Sequence, residues 1–409
     1  MNTQLDLIIR NARLRGDENH SIDIGITGNK IACIEPKIRS TGKSEINADG
    51  GMVTESFVNP HLHLCKVWTL GLMDGTTLDA YQGSGMSNAA SAIEMAADVK
   101  NLYGYEDIII RARRATTQAA IHGNLHIRAF ADVDSISKLD AVRALLKVKE
   151  EFKGIVTLQV VAFPQDGIIK NTGTAALMEE AMALGADVVG GIPWIEFSDS
   201  DSQKHINICF DLAKKYDKDI SMLLDDAGDA GLRTLEMMAL ESIKRAWHGR
   251  CIAHHCRAMA LYPGPYIHRL LALLKIAKIS VVSDPHTGPL HANVKELLLQ
   301  EVTVALGQDD ISDAYYPFGR NNMLEVAFLA SHLLWMTKKE EIELLFEMIT
   351  KYASLAMNIS NHKIAIGSTA DIVIMEDRNV IECIRNHSQP LHVISNGLEL
   401  DTKALKNNL

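Results

Sequence analysis

Hydrophobic and polar positions follow one pattern at the two ends of the chain and another in the middle. Both ends carry short β-type segments separated by Gly or Asn turns. These segments are Leu5–Ile9, Ile22–Thr27 and Lys30–Ile34 near the start, and Ala370–Met375 and Leu391–Ser395 near the end. We therefore expect the two ends to form one small β-sandwich-like domain together.

The middle of the chain alternates between apolar, β-branched runs and helix-patterned stretches. The apolar runs are Phe57–Leu64, Leu125–Val133, Ile155–Phe163, Asp187–Ile195, Ile220–Asp226, Arg250–Cys256, Ile279–Asp284 and Val302–Asp309. Eight strands separated by helices is the count of a (β/α)₈ TIM barrel, an α/β fold. A doubly wound sheet is the alternative, but no glycine-rich phosphate loop follows the first strand.

This division predicts the domain boundaries. Residues 57–359 are expected to form the barrel, and residues 1–56 and 360–409 the small β domain. The long stretch after the first barrel strand, residues 65–104, includes Gly83–Gly85, which we interpret as a loop over the barrel mouth.

Composition and charge narrow the class of partner. The 409 residues carry 41 basic and 51 acidic side chains, a net charge of −10, which argues against a nucleic-acid surface. No apolar run is long enough for a membrane span, and the first residues lack the pattern of a secretory signal. The six Cys form no CxxC pair and are interpreted as reduced thiols. We expect a cytoplasmic protein that binds neither nucleic acid nor membrane.

In a barrel of this type, function belongs to the carboxyl ends of the strands. The first strand ends in His61 and His63, which are two residues apart and face the same side. Two inward imidazoles are costly to bury unless a divalent metal or a hydrogen-bond partner uses their lone pairs. A metal site and a pair of structural histidines are therefore both open interpretations.

Other predicted strands carry further polar candidates: Gln159 on strand three, Asp225 and Asp226 on strand five, His254 and His255 on strand six, and Asp309 and Asp310 on strand eight. Alternation along strand six allows only one of its two His to face inward. Asp310 by itself is better explained as a capping or loop carboxylate, and Gln159 has the alternative of a satisfied interior amide. Lys66 is interpreted as facing solvent. Histidines and a carboxylate from different strands favour metal-assisted hydrolysis.

With these residues placed, the sequence resembles the amidohydrolase superfamily, most closely its bacterial cytosine deaminase and N-isopropylammelide hydrolase branch. The resemblance rests on the HxH segment at 58–64 and on the stretches at 158–167, 184–190, 309–310 with 316–317, and 366–372. It covers nearly the whole chain.

The resemblance implies a mononuclear Zn or Fe held by His61, His63 and Asp309. Water would attack an sp² carbon, and ammonia or an amine would leave. Asp309 would take the proton of the water, and His255 would stabilise the developing oxyanion. Asp226 stands where the family keeps a Glu that carries protons to the ring nitrogen and the leaving group.

The resemblance also implies the walls of a substrate pocket. Gln159 would pair with the amide edge of a heterocycle, and Tyr315 stands where cytosine deaminase has an aromatic wall. Asp310, Trp194 and Phe130 complete the expected substrate-binding set. Trp194 and Phe130 each stand where the family has a His, so the pocket is expected to be less polar and cytosine a poor substrate.

One departure concerns the metal directly. The family's strand-five ligand is a His, and this chain has Leu223, which cannot coordinate a metal. Gln308 also replaces a His, and Cys65 replaces an Asp. Cys65 is interpreted as a buried inert thiol, although a thiolate ligand is the alternative.

Three hypotheses follow. The first is a metal-dependent hydrolase, deaminase-like, that cleaves a C–N bond of a small cyclic amide or amidine. The second keeps the barrel without the metal and uses Asp226, Asp309 and His255 for cyclisation, elimination or isomerisation of a guanidine- or ureido-like substrate. The third is a non-catalytic relative that binds a ligand or a partner. Relatives are often oligomers, so the resemblance also favours a homo-oligomer.

Overall fold

The structure, a computed structural model, describes residues 4–17, 19–73, 79, 83–407 and 409. Within these residues the strands are β1 Leu7–Leu14, β2 Ile22–Thr27, β3 Lys30–Glu35, β4 Ser44–Asn47, β5 Met52–Glu55, β6 Phe57–Leu62, β7 Asn124–Asp132, β8 Thr157–Phe163, β9 Val188–Gly191, β10 Asp219–Leu224, β11 Cys251–His255, β12 Ser280–Ser283, β13 Val304–Leu306, β14 Ile372–Met375, β15 His392–Ser395 and β16 Leu398–Glu399. The α-helices are α1 Ala89–Ala97, α2 Tyr105–Ile121, α3 Asp140–Glu151, α4 Thr174–Ala183, α5 Asp199–Tyr216, α6 Thr234–Lys244, α7 Gly264–Ala277, α8 Val294–Leu299, α9 Met323–Leu333, α10 Lys339–Met348, α11 Lys351–Ala356, α12 Val380–Asn386 and α13 Thr402–Lys406.

Strands β6 to β13 form a parallel sheet in which each strand pairs with the next along the chain. The first and last strands close it, because Leu62 bridges to Asp309 in parallel. The Asp309 N–H donates to the His61 carbonyl at 2.9 Å, and the His63 N–H donates to the Asp309 carbonyl at 2.8 Å. The predicted (β/α)₈ barrel is confirmed, and its closing seam carries three of the candidate site residues.

The helices surround the barrel because their apolar positions recur every three or four residues. In α2, Ile108, Ala112, Ala115 and Ala119 are fully or almost fully buried. In α3, Leu145 lies in the same hydrophobic cluster. Full burial of a side chain of this size contributes about 1.5 to 3 kcal/mol.

The remaining strands, from both ends of the chain, form the predicted second, β-rich domain. The long strand β1 belongs to two parts of its sheet: its start pairs with β2 and β4, and its end pairs with β5. Strand β14 pairs antiparallel with β5 and thereby joins the C-terminal strands to the N-terminal ones. Ile24 from one part and Ile372 from the other lie in one apolar cluster.

The segment after the first barrel strand is more helical than expected. Gly83–Met86 forms a 3₁₀ helix instead of a loop, and α1 and a second 3₁₀ helix, Asp98–Leu102, follow it. The Gly228 N–H, just beyond the end of β10, donates to the Met86 carbonyl at 3.3 Å. This contact places the segment at the carboxyl end of the barrel. Part of the predicted stretch, 74–78 and 80–82, lies outside the described residues.

No helix in the described ranges is both long and apolar enough to cross a membrane.

We expect His362, next to the connection between β5 and β6, to make stability fall with acid. Its Nε2–H donates to the Ser56 carbonyl at 2.8 Å, and its ring contacts that of His126. Burial, followed by the charge of His126, lowers the pKa of His362 to about 4. The unfolded chain therefore binds this proton at higher pH than the folded protein, so stability is lost as the pH falls below about 6.5.

Urea unfolding near pH 7 and near pH 5 measures this effect. His362→Gln should reduce the loss of unfolding free energy between these values by about 2 kcal/mol. His20→Gln, at a side chain that is 77% exposed, serves as the control. An equal pH dependence in wild type and His362→Gln would contradict the prediction.

Candidate active site

The candidate site lies where the carboxyl ends of the barrel strands meet, as the fold predicts. His61 Nε2 lies 3.1 Å and His63 Nε2 3.8 Å from Asp309 Oδ1. All three side chains are at most 3% exposed. His61 lies on β6 and His63 directly after its end, and Asp309, three residues past the end of β13, supplies the carboxylate.

Both histidines at the end of β11 point into the barrel, so the expectation that one of them faces the helices is wrong. His254 Nδ1 lies 2.7 Å from His61 Nδ1, and His255 Nε2 lies 3.8 Å from Asp309 Oδ1. The physical reason is the backbone of His255, whose φ of +64° breaks the alternation of the strand. Asp309 also has a positive φ, +63°. Such strained conformations are concentrated at functional sites.

A buried guanidinium connects the carboxylates of this site. Arg257 Nε donates to Asp226 Oδ1 at 2.7 Å, and its Nη2 donates to Thr287 Oγ1 at 2.7 Å. The Thr287 hydroxyl donates in turn to Asp309 Oδ2 at 2.7 Å. Arg257 Nη2 also lies 3.2 Å from His255 Nδ1. Asp226 is thereby brought to the same site, with its Oδ2 3.9 Å from His255 Nε2.

The charges of these groups determine their protonation. Burial alone would raise the pKa of Asp309, but the charge of His255 and the hydrogen bond and charge of His61 hold that pKa well below its usual range. Burial would lower the pKa of His255, but Asp226 and Asp309 raise it. Asp309 is therefore an anion and His255 is biased toward its cationic form.

Asp310 differs from its neighbour Asp309. Burial, the charge of Asp309 and the charge of Asp313 raise the pKa of Asp310 well above its usual range. The Lys66 ammonium stays charged, because Asp132, Tyr315 and Asp310 outweigh its burial and raise its pKa. Lys66 is only 6% exposed, so the expectation that it faces solvent is wrong. It donates to Gln165 Oε1 at 2.5 Å and lies over the Tyr315 ring at 4.8 Å.

The apolar residues that replace family histidines pack together beside the imidazoles. Phe130, Trp194, Leu223 and Tyr315 belong to one buried cluster. The Phe130 ring centre lies 4.4 Å from that of His61. The indole N–H of Trp194 is buried and has no hydrogen-bond partner among the described residues.

The structure does not bring Gln159 to the site, which corrects its assignment as a substrate contact. Its Oε1 accepts from Arg128 Nε and Nη2 at 2.9 and 2.7 Å, and its Nε2 donates to the Met357 carbonyl. Gln159 lies near the start of β8, whereas the site lies beyond the strand ends. Gln165, two residues past the end of β8, is the amide that lines the cavity.

Two further candidates, Asp225 and Cys65, lie in surroundings that give them structural roles. Asp225 accepts hydrogen bonds from the Thr234 N–H and hydroxyl and from the Tyr262 hydroxyl, so it caps helix α6 and is not a proton carrier in the site. Cys65 is 1% exposed, and burial raises the pKa of its thiol far above the usual range. Among the described residues, two groups of side chains could hold a metal, and Cys65 belongs to neither of them. This agrees with the interpretation of Cys65 as an inert thiol.

The site encloses a narrow cavity of about 20 Å³. Its lining residues are His63, Lys66, Ile93, Gln165, Ile192, Leu223, Asp226, His255, Asp309, Asp310 and Tyr315. Ile93 comes from helix α1, which therefore covers the cavity. Lys100, just beyond α1, anchors this cover: its ammonium lies 2.8 Å from both Asp134 Oδ2 and Asp166 Oδ2.

The donor set of His61, His63 and Asp309 fits a divalent metal. One ligand atom of each residue lies within 4.8 Å of the other two. Ligand atoms around a tetrahedral zinc ion are about 3.3 to 3.5 Å apart, close to the separations seen here. His61 Nε2 and Asp309 Oδ1 face each other at 3.1 Å, and a metal bound to both would use the lone pair of this buried ring nitrogen. Leu223 adds an apolar wall in place of a further donor.

The comparisons with known proteins agree with this geometry. The model of the Amidohydrolase family matches residues 44–398. The chain is 30% identical to the N-isopropylammelide isopropyl amidohydrolase of Pseudomonas sp. (strain ADP), over 97% of both chains. This chain belongs to the amidohydrolase family. As an amidohydrolase it is an enzyme related to hydrolases that act on C–N bonds.

Solved structures place this amidohydrolase in the same branch. It superimposes on 5-methylcytosine deaminase from Klebsiella pneumoniae liganded with 5-fluorocytosine with a TM-score of 0.88 and 28% identity, covering 96% of this chain and 97% of that one. The fold is also shared with N-isopropylammelide isopropylaminohydrolase from Burkholderia multivorans, with a TM-score of 0.84 and 24% identity over 96% and 97% of the two chains.

Sequence reasoning missed three side chains of this amidohydrolase site, Gln165, Arg257 and Asp284. Gln165 ends the family-like stretch 158–167, and its place after the strand, where barrel enzymes carry function, was the available signal. Arg257 follows His255 by two residues at another strand end. Asp284 ends the seventh predicted strand, and nothing in its local sequence distinguishes it from a capping carboxylate.

Proposed function

We propose that this amidohydrolase hydrolyses a C–N bond of a small cyclic nitrogenous compound and releases ammonia or an amine. One divalent metal ion, Zn or Fe, would be held by His61, His63 and Asp309. The convergence of these three buried donors at the carboxyl end of the barrel carries the proposal. The names of the related enzymes, which specify N-isopropylammelide and 5-methylcytosine, support this class of substrate.

When bound, the metal would supply a Lewis acid that activates water and polarises the substrate. Asp309 is held as an anion and therefore suits acceptance of the water proton at Oδ1. The water oxygen bonds to the sp² carbon as the C–N bond breaks. His255 Nε2 faces Asp309 Oδ1 and would stabilise charge on the substrate oxygen or ring. Asp226 would carry the proton to the leaving nitrogen.

The remaining cavity residues suit the orientation of a polar ring. Lys66 offers an ammonium beside the Gln165 amide, so the two present donors to a carbonyl oxygen or ring nitrogen and an acceptor to a ring N–H. Ile93, Ile192 and Leu223 line an apolar side of the cavity. Phe130 and Trp194, expected to contact substrate, lie in the same apolar cluster as Leu223 but do not line the cavity. We expect this apolar side to favour a substrate with an apolar substituent over unsubstituted cytosine.

Metal analysis and a substrate panel test the proposal. We expect about one equivalent of Zn or Fe in protein purified without chelator. The Zn-loaded protein should release ammonia or amine from an N-alkylammelide or 5-methylcytosine faster than from cytosine, and chelation should abolish turnover. A metal-loaded protein that hydrolyses none of the amino-heterocycles in the panel would contradict the proposal.

We expect Leu223→His to strengthen Zn²⁺ binding, because it adds an imidazole beside the existing donors. The gain should be about 10- to 100-fold, the range for a single group that supports a metal. Competition with a chromophoric chelator measures it. Leu223→Met, which keeps the volume of the side chain and adds only a weak thioether donor, is the matched control. Equal affinity in the two variants would argue that position 223 does not face the metal.

A second candidate function is acid–base chemistry without a metal, such as cyclisation, elimination or isomerisation of a guanidine- or ureido-like compound. The specific observation in its favour is Arg257, whose fixed positive charge contacts Asp226 and lies 3.5 Å from Asp309 Oδ2. Leu223 also stands where the resemblance places a metal-ligating His, so this chain has one metal donor fewer. Turnover that survives complete removal of the metal would favour this candidate over hydrolysis with a metal.

A further inference from the structure

Arg257, two residues after the end of β11, is a buried cation that has no part in the proposed hydrolysis as described so far. The residue is 1% exposed and does not line the cavity. A charge that is taken out of water is costly unless it is paired and its hydrogen bonds are made. The guanidinium donates from Nε to Asp226 Oδ1 at 2.7 Å, from Nη2 to Thr287 Oγ1 at 2.7 Å and from Nη1 to the Leu290 carbonyl at 3.3 Å. Each of its three nitrogens is thus fixed to a different residue.

Gly288 leaves the room that this guanidinium occupies. A Cβ on residue 288 would lie 2.5 Å from Arg257 Nη1, which is closer than van der Waals contact allows. Gly288 is extended, with a φ of −174°, so the backbone conformation by itself does not call for glycine. The guanidinium therefore lies in a space that a larger residue at 288 would close.

Arg257 holds one oxygen of each of two carboxylates of the site. It contacts Asp226 directly at Oδ1, and the Thr287 hydroxyl to which it donates is itself the donor to Asp309 Oδ2 at 2.7 Å. The other two oxygens, Asp226 Oδ2 and Asp309 Oδ1, lie 3.9 and 3.8 Å from His255 Nε2. Both carboxylates therefore present their second oxygen to the same ring nitrogen, at the cavity that all three residues line.

We propose that Arg257 is a positioning residue for the hydrolysis and orients the carboxylates of Asp226 and Asp309. It holds Asp226 directly and Asp309 through the Thr287 hydroxyl. The inference rests on the proposed function, in which Asp309 Oδ1 accepts the water proton and Asp226 carries a proton to the leaving nitrogen. Arg257 does not touch the substrate in this assignment. It fixes one oxygen of each carboxylate, so that the oxygen that exchanges a proton stays toward His255 and the cavity.

Arg257→Lys separates this role from that of a positive charge alone. Lys keeps the charge, but its single ammonium cannot reproduce the planar fork that contacts Asp226 and Thr287 together. We expect kcat to fall by about 10²-fold, the loss that a misplacement of about 1 Å produces. KM should stay nearly unchanged, because Arg257 does not line the cavity. If only the charge matters, Arg257→Lys keeps the wild-type kcat.

Thr287→Val and Thr287→Ser test the link to Asp309. Val keeps the shape of the side chain and removes the hydroxyl, whereas Ser keeps the hydroxyl. We expect Thr287→Val to lower kcat by about 10- to 100-fold, the effect of one lost hydrogen bond to a charged group, and Thr287→Ser to restore it. Steady-state kinetics at saturating Zn²⁺ measures this. The visible absorption of Co²⁺-loaded protein gives a readout without turnover: it should change in Thr287→Val and stay as in wild type in Thr287→Ser.

Arg128→Lys is the matched control for the loss of a buried guanidinium. Arg128 is also 1% exposed, but it donates to Gln159 and Ser221 and does not line the cavity. We expect its replacement to lower the melting temperature while kcat per folded molecule keeps the wild-type value. Equal losses of kcat in Arg128→Lys and Arg257→Lys would overturn the inference, because a general loss of stability would then explain both.

The outcomes separate this inference from the proposed function. If the wild type hydrolyses a compound of the panel and Arg257→Lys does so with the same kcat, Arg257 is not a positioning residue and the proposed function stands. A loss of kcat in Thr287→Val that Thr287→Ser does not restore would also overturn the inference. If the metal-loaded wild type hydrolyses no compound of the panel, the proposed function and the inference fail together.

Discussion

Asp309→Asn should remove metal binding and reduce hydrolysis by at least about 10²- to 10⁴-fold, the usual contribution of a general base. The substitution keeps the shape of the side chain and removes its negative charge. The lost charge lies beside His61, whose Nε2 is 3.1 Å from Asp309 Oδ1. Steady-state kinetics on the best substrate of the panel, with metal content measured in parallel, tests this expectation.

Asp310→Asn is the matched control. The raised pKa of Asp310 favours the neutral form of its carboxyl, so an amide changes the charge less here than at Asp309. We expect less than about a tenfold loss of activity, since a neutral hydrogen bond contributes about 0.5 to 1.5 kcal/mol. Equal losses in the two variants would contradict the assignment of the charged role to Asp309 alone.

Lys100→Met should destabilise the protein by about 3 to 5 kcal/mol, because it leaves buried carboxylates without their cation. The ammonium contacts Asp134 and Asp166 at 2.8 Å and Asp132 at 3.4 Å. Burial would lower the pKa of Lys100, but these three carboxylates raise it well above its usual range. Chemical denaturation measures the loss, and hydrogen exchange should become faster across residues 89–102.

Lys170→Met provides a control on the same cover of the cavity. Lys170 contacts Glu94 of helix α1 at 2.5 Å, but the Glu94 side chain is 61% exposed. Such an exposed pair contributes at most about 1 kcal/mol. If Lys100→Met lowers the free energy of unfolding no more than Lys170→Met does, the ion pairs of Lys100 are not what holds residues 89–102 against the barrel.

The positions of the two glutamines illustrate what sequence reasoning could reach. Gln159 and Gln165 lie in the same family-like stretch, and both are plausible partners for a heterocycle. The structure separates them, because β8 runs from Thr157 to Phe163 and only residues beyond its end reach the cavity. The predicted strand, Ile155–Phe163, ends at the same residue as β8, so the rule that function lies beyond the strand ends already favoured Gln165 over Gln159.

The histidines of β11 show a second limit. The two-residue spacing correctly places His61 and His63 together, although the pairing of β6 with β7 has register irregularities and β6 ends at Leu62. The same rule fails for His254 and His255, because a positive φ at His255 turns consecutive side chains into the barrel. The rule is sound, but the backbone departs from it at the strand end, where barrel enzymes carry their chemistry.

The sequence by itself determined the barrel, the β-rich domain built from both ends, and the pairing of His61 and His63, because periodicity and spacing act over a few residues. Only the tertiary structure decided that Arg257 bridges to Asp226, that Arg128 donates hydrogen bonds to Gln159, and that the Asp284 carboxylate lies 3.3 Å from the His255 ring. These contacts join side chains that are far apart in the chain. They depend on barrel closure and local backbone strain, which no local pattern encodes.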